Sequence, residues 1–193
     1  MLFLSKTITV IIIQIVLPAT ETQPHKSRRG LYRLKDHFLR FWFRFVHPNR
    51  SQLERGNSAA VLTDAVLPTL DQFTGPVFES VCQQFLWYAG QNDRLPLTPK
   101  QVGCWWRANE KIDLIAFDND TALLVECKWT SRPVGVDILA DLERKAQLAQ
   151  TELADRQIRY ALCARSGFTE QLRQMATGRT DVYLFGPADL LKA

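Results

Sequence analysis

The chain has 193 residues, of which 46% are hydrophobic and 23% are charged, enough for one ordinary core with a small appendage. Its 24 basic and 20 acidic residues leave a net charge of +4. This mild excess excludes a histone-like composition and does not by itself identify a partner. The four cysteines show no CxxC spacing, which argues against a zinc site or a disulfide framework and favours buried thiols in a reducing cytosol.

The first element is an apolar run at residues 8–18, which follows Lys6. The run is too short to span a bilayer. Because most of its residues are β-branched, it predicts a buried strand or a truncated core, and a weak export signal is the alternative. The cysteine pattern speaks against export, so we expect a cytoplasmic protein without a membrane span.

An aromatic helix is predicted after a polar loop at residues 19–30. Asp36 is its candidate N-cap, the helix runs to about Val46, and His47-Pro48 is expected to stop it. Its aromatic residues alternate with arginines. We interpret this stripe as a packed face rather than a surface for nucleic-acid stacking, because it recurs at helical spacing.

Two further helical segments precede the predicted sheet. One apolar segment starts near Gln52 and ends before Pro68. Residues 74–76, Thr-Gly-Pro, are typical of a helix start, and the periodicity predicts a helix over about 77–88. Glu79 lies off the apolar face of that helix, one turn from its predicted start.

The rest of the chain alternates between strands and helices. In order we predict strands at 102–106, 112–117 and 123–129, a helix at 136–153, a strand at 158–164, a helix at 168–176, a strand at 181–185 and a helical end at 188–191. This order predicts an α/β fold with a mixed β-sheet flanked by helices.

Two neighbouring strands carry ionisable residues inside apolar runs, namely Asp113, Glu126 and Lys128. Such groups are costly to bury without compensation. A two-residue turn at Asn119-Asp120 would pair Asp113 with Glu126 on one face of the hairpin. A four-residue turn preserves this pairing, whereas a three-residue turn without a bulge would send the two carboxylates to opposite faces.

The paired carboxylates indicate a metal-assisted chemistry. Carboxylates directly opposite each other repel unless a cation lies between them. Hard oxygen ligands select Mg²⁺ or Mn²⁺. The ammonium group of Lys128 can position a water molecule or screen the charge that develops during phosphodiester hydrolysis. The residues therefore predict a site for metal-dependent phosphodiester cleavage.

This arrangement resembles the PD-(D/E)XK, or restriction-endonuclease-like, nuclease superfamily, which has a lone Asp on one strand and Glu-x-Lys on the next. The resemblance implies that Asp113 and Glu126 are metal ligands, that Lys128 is the catalytic lysine and that DNA is the substrate. It also implies that Glu79 is the acid that many members contribute from their first core helix. Without the resemblance, Glu79 would be an acid near a positive helix terminus.

A second resemblance covers most of the chain. It rests on the motifs at residues 27–36, 41–46, 102–106, 112–115, 126–129 and 166–169. These are similar to the C-terminal region of archaeal-type AAA-family ATPases, in which a P-loop ATPase domain is followed by a winged helix and a nuclease-like domain. The resemblance implies that residues 1–55 are a remnant of the winged-helix region with a linking helix, and that residues 56–193 form the nuclease-like domain.

The chain departs from that family because it contains no Gly-x-x-x-x-Gly-Lys-Ser/Thr motif, so we expect no ATP binding through a P-loop. We expect a truncated or split protein whose ATPase half is lost or encoded separately. Two functions stay open. The first is an Mg²⁺- or Mn²⁺-dependent DNA nuclease, favoured by the presence of Asp113, Glu126 and Lys128. The second is a catalytically inactive nuclease-fold module that binds nucleic acid or a partner ATPase subunit.

Overall fold

The computed structural model describes residues 13–191. Within this range the chain forms two compact units, the first with residues 13–17 and 24–77 and the second with residues 18–23 and 78–191. Residues 8–12 of the predicted N-terminal strand lie outside the described residues. Residues 13–16 do form a strand, but Ile13 and Ile15 are exposed, so the predicted burial is wrong for this part. The predicted domain boundary after residue 55 and the winged-helix assignment stay predictions.

The first unit contains a two-stranded antiparallel ribbon and a series of short helical segments. The ribbon pairs β1 (Ile13–Val16) with β2 (Leu31–Leu34). The segments that follow are α1 (His37–Phe41), a π-helical turn (Trp42–Val46), a 3₁₀ turn (His47–Asn49), α2 (Arg50–Glu54), α3 (Ser58–Val61), a second π-helical turn (Leu62–Val66), a second 3₁₀ turn (Leu67–Thr69) and the start of α4 (Leu70–Gln91). The predicted N-cap is confirmed, because the Asp36 carboxylate accepts a hydrogen bond from the Leu39 N–H at 2.9 Å.

Proline does not end the helices where the sequence predicted. Each π-helical turn leads into a 3₁₀ turn whose second residue is Pro48 or Pro68, and helical structure continues beyond it. Proline removes a backbone donor and crowds the preceding turn, and local π and 3₁₀ geometry accommodates both effects. The predicted stop at His47-Pro48 is therefore wrong. Helix α4 likewise begins at Leu70, ahead of the predicted start, and contains Pro76 in its interior.

The predicted aromatic face of the first unit is confirmed only in part. Phe45 is buried, and its ring contacts those of Phe41 and Phe73 at centroid distances of 5.0 and 5.4 Å. Phe38, by contrast, is largely exposed. The π-helical turn changes the angular spacing of the side chains, so a single 3.6-residue period does not describe this segment.

The second unit is a five-stranded mixed sheet flanked by helices, as the element order predicted. Its elements are β3 (Gln101–Arg107), β4 (Glu110–Phe117), β5 (Thr121–Lys128), α5 (Val136–Leu153), β6 (Gln157–Ala164), α6 (Glu170–Thr177), β7 (Val182–Phe185) and α7 (Pro187–Leu190). The strands lie in the order β3-β4-β5-β6-β7. The first two pairings are antiparallel and the last two are parallel.

Each face of this sheet is covered by one long helix. Helix α5 buries Leu139, Leu142, Ala146, Ala149 and Leu153 on one face, at the three- and four-residue spacing of an amphipathic helix. Helix α4 buries Phe78, Cys82, Phe85, Leu86 and Ala89 on the other face. Strand β5 is covered on both faces, because its even-numbered residues pack toward α5 and its odd-numbered residues toward α4. Double coverage explains its nearly continuous apolar sequence.

Gly90, in the last turn of α4, allows the following loop to pack closely against the helix. A Cβ atom at this position would lie 2.2 Å from Pro99 Cδ and 3.2 Å from the Leu97 carbonyl oxygen. We expect Gly90→Ala to lower the free energy of unfolding by about 1–3 kcal/mol through overpacking. Gly178→Ala is the matched control with an expected change within about 0.5 kcal/mol, because a Cβ atom there would lie 3.6 Å from its nearest neighbour. Urea titration measures both, and equal effects would contradict the prediction.

Candidate metal and active site

A tight turn joins the two strands that carry the acidic residues. The Asp118 N–H donates to the Thr121 carbonyl oxygen at 3.1 Å. The Asp118 carboxylate accepts the N–H groups of Asp120 and Thr121 at 2.9 and 2.8 Å. This side chain satisfies the turn's backbone donors, as Asp commonly does in turns. The predicted two-residue turn is confirmed.

The register set by this turn confirms the predicted pairing of β4 with β5 as far as Leu114, which lies opposite Val125 in the last pair of the ladder. Asp113 and Glu126 are the next residues on the two strands, and their direct pairing stays a prediction.

A β-bulge lies at the position of Asp113, and the sequence analysis did not predict it. The register of β4 against β3 shifts between Gly103 and Trp105. One residue of β3 consequently faces two residues of β4, Asp113 and Leu114. Bulges redirect side chains and often lie next to active sites. The glycine in β3 is the one sequence signal that could have indicated it.

Asp113 and Glu126 are both buried, with 9% and 6% of their surfaces exposed. The Cys127 N–H donates to Asp113 Oδ2 at 3.0 Å. Lys128 Nζ donates to Glu126 Oε1 at 2.6 Å. Burial raises the pKa of Glu126, and the nearby charge of Asp113 raises it further. The sheet thus holds two carboxylates and the predicted lysine together at one end.

Glu79 is linked to Asp113 by Lys111, a lysine that was not predicted to belong to the site. Lys111 Nζ lies 3.0 Å from Glu79 Oε1 and 2.9 Å from Asp113 Oδ1, so one ammonium group bridges both acids. Burial opposes the charged form of Lys111, but the carboxylates of Asp113 and Glu79 outweigh it and raise its pKa. Glu79 lies in the interior of α4, so its interpretation as an acid at a helix terminus is wrong.

Lys145 is a second lysine that the sequence analysis missed. It projects from α5, its side chain is only 13% exposed, and its Nζ lies 3.7 Å from Glu126 Oε2 and 2.8 Å from Asp141 Oδ2. Two features of the sequence could have indicated that Lys145 is partly buried and ion-paired. It directly precedes Ala146 on the apolar side of the predicted helix, and Asp141 lies four residues earlier, a spacing that supports a helical ion pair. Lys145 therefore approaches the oxygen of Glu126 that Lys128 does not contact.

Three cysteines also meet in the second unit. The sulfur atoms of Cys82, Cys127 and Cys163 lie within 4.8 Å of one another, and no cysteine forms a disulfide. Hydrogen bonds from Cys127 and Cys163 lower the pKa of Cys82. The predicted burial is confirmed for these three residues but not for Cys104, which is partly exposed. Their convergence was not visible in the sequence, because they come from three different elements.

Comparison with known proteins places the chain in a family. The profile of DUF234, described as archaeal and bacterial proteins of unknown function, matches residues 42–147, more than half of the chain. The chain belongs to this family. The matched range contains all six charged residues of the site, namely Glu79, Lys111, Asp113, Glu126, Lys128 and Lys145.

The chain is also similar to a curated protein of Methanocaldococcus jannaschii that is described as uncharacterized. The two are 38% identical over 151 residues, which cover 76% of this chain and 33% of the relative. The chain therefore spans about a third of the length of this relative. No solved structure matches the chain significantly. Among the described residues, no helix is both long and apolar enough to cross a membrane.

Proposed function

We propose that this DUF234 protein is a metal-dependent nuclease that hydrolyses phosphodiester bonds in DNA through a PD-(D/E)XK site. The observation that carries the proposal is the constellation at the end of the β4–β5 hairpin. It consists of buried Asp113 and Glu126 on adjacent strands, with the Lys128 ammonium group 2.6 Å from Glu126. The β3-β4-β5-β6 order with flanking helices supports a restriction-endonuclease-like fold.

The donor set suits Mg²⁺ or Mn²⁺. The Glu126 Oε2 atom is buried and accepts no hydrogen bond, and its nearest cation, Lys145 Nζ, lies 3.7 Å away, beyond hydrogen-bond distance, so this oxygen still has capacity for a metal ligand bond. Asp113 and Glu126 would hold the ion with oxygen atoms only. Glu79 is joined to Asp113 through Lys111, and in the described part of the chain the three carboxylates do not come within 4.8 Å of one another as a ligand set. When bound, the ion supplies Lewis-acid stabilisation of the phosphate and a more nucleophilic water molecule.

The surrounding groups have separate roles in this proposal. The Cys127 N–H fixes the orientation of the Asp113 carboxylate. Lys128 stabilises negative charge that develops on the phosphate oxygens, and its contact with Glu126 holds the ammonium group in position. Lys128 also lines an open groove of about 290 Å³ together with Arg132 and Asp137. The two cations of this groove can contact a nucleic-acid backbone, whereas Asp137 opposes it.

A second candidate function is a catalytically inactive module that binds nucleic acid or a partner ATPase subunit. The observation that favours it is the set of three lysines at the site. Lys111, Lys128 and Lys145 already pair with the acidic side chains, so the carboxylates are compensated by the protein itself.

Cleavage of plasmid DNA tests the two candidates. The protein is incubated with supercoiled plasmid and Mg²⁺ or Mn²⁺, with EDTA as the metal-free control. For a nuclease, we expect Lys128→Met to cleave ~10²-fold more slowly, because it removes a charge that stabilises the transition state. Lys100→Met is the matched control, because Lys100 contacts Asn119 in an exposed hydrogen bond.

Three outcomes separate the candidates. Metal-dependent cleavage that Lys128→Met loses and Lys100→Met keeps supports the nuclease. Cleavage that persists unchanged in Lys128→Met contradicts the proposed site. If no DNA is cleaved but DNA is retarded in a gel, the binding module is favoured.

A further inference from the structure

We propose that Cys82, Cys127 and Cys163 form a three-thiolate site for a soft, thiophilic metal ion, separate from the carboxylate site. Its ligands come from α4, β5 and β6. The proposal does not depend on nuclease activity, because none of these sulfur atoms belongs to the Asp113–Glu126 constellation.

The positions of the three sulfur atoms are set by the core of the second unit. Cys127 and Cys163 are direct partners in the parallel β5–β6 ladder. Cys82 lies on the face of α4 that covers these strands, among residues such as Phe85 and Leu86. Cys82 and Cys163 are fully buried, and Cys127 is 9% exposed. Packing on all sides therefore holds the three thiols toward one point.

The spacing of the sulfur atoms fits a trigonal site after a small contraction. Ion-to-sulfur bonds of about 2.3 Å, as in zinc sites, correspond to sulfur–sulfur distances of about 4 Å in a planar triangle. The three sulfur atoms already lie within 4.8 Å of one another. Each pair thus needs to close by less than about 1 Å, which rotation of the cysteine side chains can supply.

The donor chemistry selects the class of ion. Three sulfur donors exclude Mg²⁺ and Ca²⁺, which prefer oxygen, and favour soft ions such as Cu⁺ or group-12 cations. In the described part of the chain, no fourth histidine, cysteine or carboxylate ligand joins the cluster. A structural zinc site normally has four protein ligands, so the three-thiol set favours ions that accept trigonal coordination.

Binding requires no redox partner. The three thiols release three protons and the resulting thiolates bind one ion, so no electron is transferred. The hydrogen bonds among the thiols are replaced by bonds to the ion. Because Cys127 lies between Glu126 and Lys128, the ion would link the strand of the carboxylate site to α4 and β6.

Titration with Cd²⁺, a soft spectroscopic probe, tests the site in the full chain under anaerobic, reducing conditions. We expect a thiolate-to-metal charge-transfer absorption that saturates at one ion per chain and persists in excess Mg²⁺. Because Cys82 and Cys163 are buried even without an ion, alkylation is run at a urea concentration that opens the ion-free chain. Mass spectrometry should then show Cys82, Cys127 and Cys163 protected only when Cd²⁺ is present, with Cys104 reactive in both cases. The thermal midpoint of unfolding should rise in parallel, because the ion binds the folded state.

Variants provide the matched comparison. Cys104→Ser should retain the absorption and its stoichiometry, whereas Cys82→Ala and Cys163→Ala should each lose saturation at one ion. Circular dichroism checks the fold of each variant, and the protection pattern of the unmodified chain requires no variant at all. Absence of the absorption, protection of Cys104 instead of the cluster, or unchanged binding by folded Cys82→Ala would overturn the proposal.

Discussion

Replacing Asp113 by asparagine is expected to lower the rate of Mg²⁺-dependent DNA cleavage by ~10²-fold or more, since it weakens ion binding and charge stabilisation. Asparagine has the same shape and its amide oxygen can still accept the Cys127 N–H, which Asp113 Oδ2 accepts at 3.0 Å. The negative charge is lost, however, and with it the ion pair to Lys111. Plasmid cleavage measures the rate, and calorimetric titration with Mn²⁺ measures ion affinity, which we expect to fall with it.

Asp118→Asn provides the control for this prediction on the same hairpin. The Asp118 carboxylate serves the turn by accepting two backbone N–H groups, and an asparagine oxygen can do the same. Its cleavage rate and ion affinity should match those of the unmodified chain. If Asp113→Asn and Asp118→Asn lose activity equally, the loss reflects damage to the hairpin and the assignment of Asp113 as a metal ligand is wrong.

Replacing Trp105 by alanine is expected to lower the free energy of unfolding of the second unit by about 3–5 kcal/mol, the usual cost of removing a buried aromatic side chain. Trp105 is fully buried in the core beneath α5. Its indole N–H also donates to Glu152 Oε2 at 3.1 Å. A loss of this size should lower the thermal midpoint by roughly 10 °C, which differential scanning calorimetry measures.

Trp105→Phe separates the two contributions of this side chain. Phenylalanine retains most of the apolar volume but cannot donate to Glu152, so we expect a smaller loss, about 1–2 kcal/mol. If the alanine and phenylalanine variants were equally unstable, the hydrogen bond rather than the packing would carry the effect. That outcome would contradict the role assigned to the core beneath α5.

Local signals in the sequence were sufficient for much of the second unit. The chain order of strands and helices followed from periodicity, since strands β3 to β7 and helix α5 fall close to their predicted ranges. The pairing of β4 with β5 followed from a single turn, because Asp118 and the two residues after it fix the register of the hairpin. Alternation by two along β5 then placed Glu126 and Lys128 on one face.

Local rules failed where neighbouring structure changed the outcome. Pro48 reads as a helix stop because proline lacks a donor, yet the π-helical turn before it lets the chain remain helical. The ring of Phe73 packs against Phe41 and Phe45, and this contact lies in the turns of α4 that precede its predicted start. The helix propensities of individual residues do not predict such contacts, because the contacts join residues far apart in the chain.

The sequence by itself determined the α/β class and the register of the β4–β5 hairpin as far as Leu114 and Val125, because each depends on periodicity or on one short turn. Only the tertiary structure decided that Lys145 from α5 approaches Glu126 and that Glu79 from α4 meets Asp113 through Lys111. The bulge at Asp113 likewise arises only from pairing with β3. The cluster of Cys82, Cys127 and Cys163 likewise forms only when α4 packs on β5 and β6. The spacing of residues in the sequence does not predict how close these separate elements come in the core.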